Sequence, residues 1–144
     1  VSLDVNKSEN DKYSFSFSPR VGYTFSESSL RPDIKTNFMS GDINFDAWFK
    51  LPLKFEFTTN GTVHIQQKTD VFDRNNNYTK WDASIAKKLL KSNNLQLKLG
   101  VNDILNQNIG FNRTATTNII TENRFLTLQR YWFAGIQYNI SKNP

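Results

Sequence analysis

Lys12-Tyr13-Ser14-Phe15-Ser16-Phe17-Ser18-Pro19-Arg20-Val21-Gly22-Tyr23-Thr24-Phe25 is the stretch from which the fold can be read. The odd positions hold Tyr13, Phe15, Phe17, Pro19, Val21, Tyr23 and Phe25, and the even positions hold Lys12, Ser14, Ser16, Ser18, Arg20, Gly22 and Thr24. Every odd residue except Pro19 is aromatic or aliphatic, and no even residue is. Side chains of an extended chain alternate between two faces, so this run is a long strand with one apolar and one polar face. Pro19 has no N–H to give to a ladder, which predicts a bulge or local break at that point.

The alternation recurs on both sides of this stretch. Ile43, Phe45, Ala47, Phe49 and Leu51 alternate with Asp42, Asn44, Asp46, Trp48 and Lys50. After the Leu51-Pro52-Leu53 corner, Leu53, Phe55, Phe57, Val63 and Ile65 oppose Lys54, Glu56, Thr58, Asn60, Thr62 and His64. Those two runs read as a hairpin with a tight turn, with the apolar residues of both on one face. Leu95, Leu97, Leu99 and Val101 continue the pattern, as do Leu126, Leu128, Trp132, Ala134, Ile136, Tyr138 and Ile140. Val1, Leu3 and Val5 read as part of a further strand. Residues 78–90 fit a strand, and also a helix, since Trp81, Ile85 and Leu89 recur every fourth position. The strands on either side favour the strand.

Seven crossings result, at residues 1–9, 12–25, 38–51, 53–67, 78–90, 94–103 and 126–141. This predicts an all-β, antiparallel up-and-down meander of about seven long strands, with residues 1–144 forming one unit. Short connections (9–12, 51–53, 91–94) alternate with long polar ones (26–37, 68–77, 103–125). Soluble strands average about 5–6 residues, whereas tilted membrane-crossing strands need about 9–11. Four of the runs reach the longer figure. Long strands, short turns at one end and long loops at the other are the layout of an outer-membrane barrel, in which alternate residues face lipid and a polar lumen. A mean hydropathy of -0.57 is compatible with that arrangement. Lys87 and Arg130 fall in the apolar register near strand ends, where long cationic side chains reach the interface. Trp81, Tyr131 and Trp132 stand near the long-loop ends, as an aromatic girdle would, and Phe55 is expected near mid-membrane. Single-chain bacterial barrels normally have even strand numbers. Seven crossings, with an abrupt start and no leader pattern, therefore read as the C-terminal segment of a larger transmembrane β-barrel.

Composition removes other classes of function. The 144 residues hold no Cys and one His, which excludes disulfide scaffolds, thiolate metal sites and multi-His zinc centres. The formal charge of +5 comes from 18 basic and 13 acidic residues. They are scattered singly from Lys7 to Lys142, with one tight cluster at Lys87, Lys88 and Lys91. A nucleic-acid interface concentrates its charge on one face, so no nucleic-acid partner is expected.

No catalytic arrangement can be assembled. His64 is expected to face the lumen between Thr62 and Gln66, as a solvated wall residue and not a base. Asp42, Asp46, Lys54 and Glu56 are likewise expected in the lumen, where carboxylates beside Lys50 and Lys54 make a charged wall. Asp73-Arg74-Asn75-Asn76-Asn77 begins like a calcium loop but lacks the Gly at the sixth position, and Ser84 stands where the twelfth-position Glu belongs. No glycine-rich phosphate loop occurs, and neither metal nor cofactor is expected. The Asn60-Gly61-Thr62 sequon is what an Asn- and Thr-rich chain produces by chance.

Val101-Asn102-Asp103-Ile104-Leu105-Asn106 resembles the V-N-D-[LI]-[FL]-N motif that closes the penultimate strand of TonB-dependent-receptor-like outer-membrane barrels. A long loop and a final strand ending Tyr138-Asn139-Ile140-Ser141 follow, as in that family. Lys80-Trp81-Asp82-Ala83-Ser84-Ile85 is similar to the family's antepenultimate strand. The resemblance implies a receptor or active importer of the bacterial outer membrane, coupled to a TonB-type energiser through an N-terminal plug and box that these residues do not include. The expected function is therefore non-catalytic: barrel wall and extracellular loops for uptake of an unidentified ligand, in contact with outer-membrane lipid. Loops on a rigid scaffold usually carry recognition, so the candidate ligand-binding residues are Asn112, Arg113, Asn118, Glu122 and Arg124. A soluble all-β module binding glycans is the alternative, and an inward-packed apolar face would favour it.

Overall fold

The structure, a computed structural model, describes residues 1–27, 35–68, 77–108, 110–115 and 120–140. Seven strands form one sheet: β1 (Val5–Glu9), β2 (Tyr13–Glu27), β3 (Lys35–Leu51), β4 (Phe55–Gln66), β5 (Tyr78–Leu89), β6 (Leu95–Asn102) and β9 (Tyr131–Tyr138). Each pairs antiparallel with the next in the order β1-β2-β3-β4-β5-β6-β9, an up-and-down meander. A separate two-stranded ribbon, β7 (Phe111–Ala115) with β8 (Ile120–Arg124), is inserted between β6 and β9. The segment compatible with helix is strand β5, because its flanks offer it two ladders, to β4 and β6.

Register fixes which residues share a face. From β1 to β6 every pair joins odd to odd and even to even, as in Phe17 with Phe45, Phe57 with Ile85, and Ile85 with Leu99. The β6–β9 ladder switches parity, pairing Leu97 with Ile136 and Leu99 with Ala134. The amino-acid pattern switches at the same place, so one face is mainly apolar from β2 to β9, while β1 adds Val5 but also Lys7 and Glu9 to it. Within the β3–β4 hairpin, Ile43 pairs with Val63 and Phe49 with Phe57, whose rings stack 6.5 Å apart.

That apolar face is the exposed one. Leu99 is 60% and Ile136 77% exposed, and Val21, Phe25, Met39 and Trp132 are also exposed. The buried Phe38, Gln66 and Ala86 lie instead on the even-numbered, polar face. A soluble sandwich buries its apolar face. Here the arrangement is reversed, as a lipid-facing wall with a polar interior requires.

Pro19 acts on one side only. The β2–β3 register passes through Pro19 opposite Ile43 without a bulge. On the other side the Pro19 carbonyl accepts the Leu3 N–H (3.1 Å), but proline has nothing to return. The regular β1 ladder therefore starts at Val5, and an isolated bridge joins Ser2 to Arg20 beyond the gap.

Two expected strand starts move. Pro52–Lys54 forms a 3-10 turn in which Leu53 and Lys54 adopt left-handed backbone (φ 60° and 64°), so β4 begins at Phe55. Phe55 thus stands beside a short turn and away from mid-membrane. The last strand begins at Tyr131, five residues later than the alternation implies, because the backbone of residues 126–130 bonds to side chains of the loop base described below. The short turns all lie at one end of the sheet, and Lys54 Nζ ties two of them together by donating to the Leu90 carbonyl (3.1 Å).

Candidate functional site: the polar face and the loop base

The polar face is laid out in rows that cross the sheet. Towards the long-loop end, Arg20, Asp42, His64 and Tyr78 are successive register partners on β2, β3, β4 and β5. His64 Nδ1 lies 2.6 Å from Asp42 Oδ1, and the His64 ring stacks on Tyr78 at 5.2 Å. In the next row the Thr62 hydroxyl donates to Asn44 Oδ1 (2.8 Å). The row after that runs Ser16, Asp46, Asn60, Asp82. Towards the short turns Lys88 Nζ donates to Glu56 Oε1 at 2.6 Å. Asp42, Asp46, Glu56 and His64 therefore share the polar face. Lys54 does not: its left-handed turn takes it off the strand, so the alternation that placed it in the lumen stops short of it. Among the described residues, no group of three or more His, Cys, Asp or Glu is placed to hold a metal ion.

The most constrained site is the base of the connection between β6 and β9. Asp103, the residue after β6, is 1% exposed and has φ 52°, a left-handed conformation that Asp tolerates better than most residues. Its Oδ1 accepts the Gln107 N–H and its Oδ2 the Asn108 N–H, both at 3.0 Å. The Asp103 N–H donates to Asp82 Oδ1 (2.7 Å), while Lys80 Nζ lies 3.3 Å from Asp82 Oδ2. One turn is thereby satisfied by two carboxylates from neighbouring strands.

The returning chain is tied to the same turn. Asn106 Oδ1 accepts the Arg130 N–H (3.0 Å), and Asn108 Nδ2 donates to the Leu128 carbonyl (3.3 Å). The Thr127 hydroxyl donates to the Asn108 carbonyl (2.9 Å), and the Phe125 N–H donates to the Gly110 carbonyl (2.8 Å). Gln107 Oε1 accepts the Thr79 N–H (3.1 Å), which fixes the turn to the start of β5. The β7–β8 ribbon rises from this base. Arg130 sits just before β9 with its backbone held, and its guanidinium reaches the Ile104 carbonyl (3.4 Å).

The loop candidates fall on that ribbon. Backbone register sets Asn112 opposite Asn123 and Arg113 opposite Glu122. Glu122 and Arg124 are neighbours on β8, their charged groups 3.8 Å apart. Asn118 lies outside the described residues, as do Asp73, Arg74, Asn75 and Asn76 of the calcium-like stretch. Of the girdle residues, Trp81 and Trp132 are on the apolar face, and the Trp81 indole donates to the Thr59 hydroxyl (2.7 Å). Tyr131 pairs with Asn102 and is on the polar face, since β9 carries its apolar side chains on even numbers.

Sequence reasoning singled out Val101–Asn106 for its resemblance but did not see what Asp103, Asn106, Gln107 and Asn108 do. The available signal was a run of Asp, Asn and Gln directly after a strand, the residue types whose side chains replace backbone partners in turns.

No curated protein and no solved structure matches the chain. A family model described as outer membrane protein beta-barrel family matches residues 1–138, nearly the whole length. With a seven-stranded meander, an exposed apolar face and a polar opposite face, the chain belongs to this outer membrane β-barrel family and to the bacterial outer membrane.

Proposed function

We propose that this chain forms barrel wall and external loops of an outer-membrane receptor or transporter that takes up a ligand, and that it performs no catalysis. The observation that carries the reading is the loop base at Asp103. A connection that served only to link two strands would need no buried carboxylate accepting two backbone N–H groups, nor the Asn106 and Asn108 bonds to the returning chain. Such a base holds the β7–β8 ribbon in a defined place, and recognition residues are commonly presented in this way by a rigid scaffold. Arg113, Glu122 and Arg124 on that ribbon provide charged groups for a polar ligand.

The sheet's edges bear on the rest of the protein. Among the described residues β1 and β9 each have one laddered neighbour. An unpaired strand edge in lipid leaves N–H and C=O groups unsatisfied at a cost of several kcal/mol each. These edges support reading the seven strands as one part of a larger closed barrel. The resemblance of Val101–Asn106 to TonB-dependent receptors supports coupling to a TonB-type energiser through a plug and box outside residues 1–144.

Deleting residues 114–123 from the full-length protein tests the reading. Whole-cell uptake across a panel of labelled small nutrients is expected to lose a component that the parent strain shows, at unchanged surface expression. Identical uptake by both strains would take the ribbon out of the binding site.

A further inference from the structure

Two glycines interrupt the apolar face, and they differ. At Gly61 the Phe45 ring fills the gap: a Cβ there would meet the ring at 2.5 Å. At Gly41 no ring does so. The nearest side-chain atom to a Cβ at Gly41 would be Val21 Cγ2, at 3.8 Å. The result is a slot of about 390 Å³, lined on the apolar face by Val21, Met39, Gly41 and Ile65 from three adjacent strands. That volume falls within the roughly 300–1,000 Å³ of small-molecule sites.

The slot ends in polar groups at the long-loop end of the sheet, where Gln67, Lys68 and Asn77 line it. Two of them are engaged: Gln67 Oε1 accepts the Met39 N–H (3.0 Å), and Asn77 Oδ1 accepts the Gln66 N–H (2.8 Å). Among the described residues the Lys68 ammonium has no ion-pair partner. An apolar slot on a lipid-facing wall, with a lysine unpaired among the described residues at its interfacial end, has the chemistry of an anionic lipid. The apolar part takes a hydrocarbon chain, and the ammonium takes a phosphate.

We infer that this slot is a lipid subsite, in which an anionic lipid of the leaflet at the long-loop end lays one acyl chain over Gly41 and sets its phosphate on Lys68. The subsite holds lipid against the outer wall and is independent of ligand uptake through the lumen.

The test uses the full-length protein, purified in detergent, incubated with equimolar dimyristoylphosphatidylglycerol and dimyristoylphosphatidylcholine, and analysed by native mass spectrometry for retained lipid. The wild type is expected to retain the anionic lipid about fivefold over the zwitterionic one, the effect of one lysine near an anionic surface. Lys68→Gln abolishes that preference while both lipids still bind. Val21→Trp, which puts a ring in the slot as Phe45 does at Gly61, reduces retention of both lipids, and Ile65→Trp on the opposite flank does the same. Both positions face lipid, so either ring is compatible with insertion. No preference in the wild type, a preference that survives Lys68→Gln, or full retention by both tryptophan variants would overturn the inference.

Discussion

The backbone N–H of Asp103 donates to Oδ1 of Asp82 across the β5–β6 boundary, 2.7 Å away. This bond joins the end of one strand to a side chain on its neighbour, so the turn at Asp103 is positioned by the sheet. Asp103 then passes that position on through its own carboxylate to Gln107 and Asn108.

Asp103→Ala removes both acceptors and leaves the Gln107 and Asn108 N–H groups of a part-buried turn without them, at about 1 kcal/mol each. Asp103→Asn keeps one carbonyl acceptor and is expected to lose about half as much. Limited proteolysis of the folded protein in detergent checks this: cleavage between residues 104 and 130 should appear first in the Ala variant, with the strands intact. Equal resistance in wild type and Asp103→Ala would remove the turn's role as a base.

Charge placed on the two faces should have opposite consequences. Ile85, on the apolar face and flanked by Phe57 and Leu99, is far from both strand ends. Ile85→Arg is expected to cost about 2–4 kcal/mol in a bilayer. Phe55→Arg costs less, because Phe55 adjoins a turn and the interface already accommodates Lys87, whose ammonium lies 4.6 Å from the Phe55 ring centre. Asn60→Arg stands between Asp46 and Asp82 in its row and shifts stability by no more than about 1 kcal/mol. Refolding titrations into lipid vesicles rank the three.

Gly100 is packed from both sides on the polar face. A Cβ there would lie 2.4 Å from the Phe133 ring and 2.9 Å from Ser84 Cβ. Gly100→Ala therefore overpacks the site, at about 1–3 kcal/mol. Phe133→Leu in the same chain should relieve most of that loss, giving a coupling that a double-mutant cycle in urea measures. Additive losses would show that the ring is not what excludes the methyl.

Much of the fold could be read from the residues because period-two alternation reports the environment of each side chain directly, and each strand of the main sheet lies between lipid and a polar interior. The failures have a common cause. Leu126 and Leu128 alternate with polar residues, yet the backbone around them is held by Asn106 and Asn108 side chains and not by a strand. Alternation describes where side chains go and is silent on what the backbone bonds to. Leu53 and Lys54 also continue the pattern, while Pro52 starts a turn whose left-handed residues end it. The Asp103 base escaped for a related reason: its geometry depends on Asp82, twenty-one residues earlier, and only the register of β5 against β6 brings the two together.

The central claim is that odd-numbered residues of β2 to β6 meet lipid and even-numbered ones the interior. Cysteine scanning tests it most directly, because these 144 residues contain no native cysteine. Single cysteines placed in turn at positions 55–65 of the full-length protein in vesicles would each carry an environment-sensitive fluorophore, with quenching by brominated lipid measured for each. The account predicts strong quenching at 57, 59, 61, 63 and 65 and weak quenching at 56, 58, 60, 62 and 64. Uniform quenching along the strand, or quenching strongest at the even positions, would contradict it.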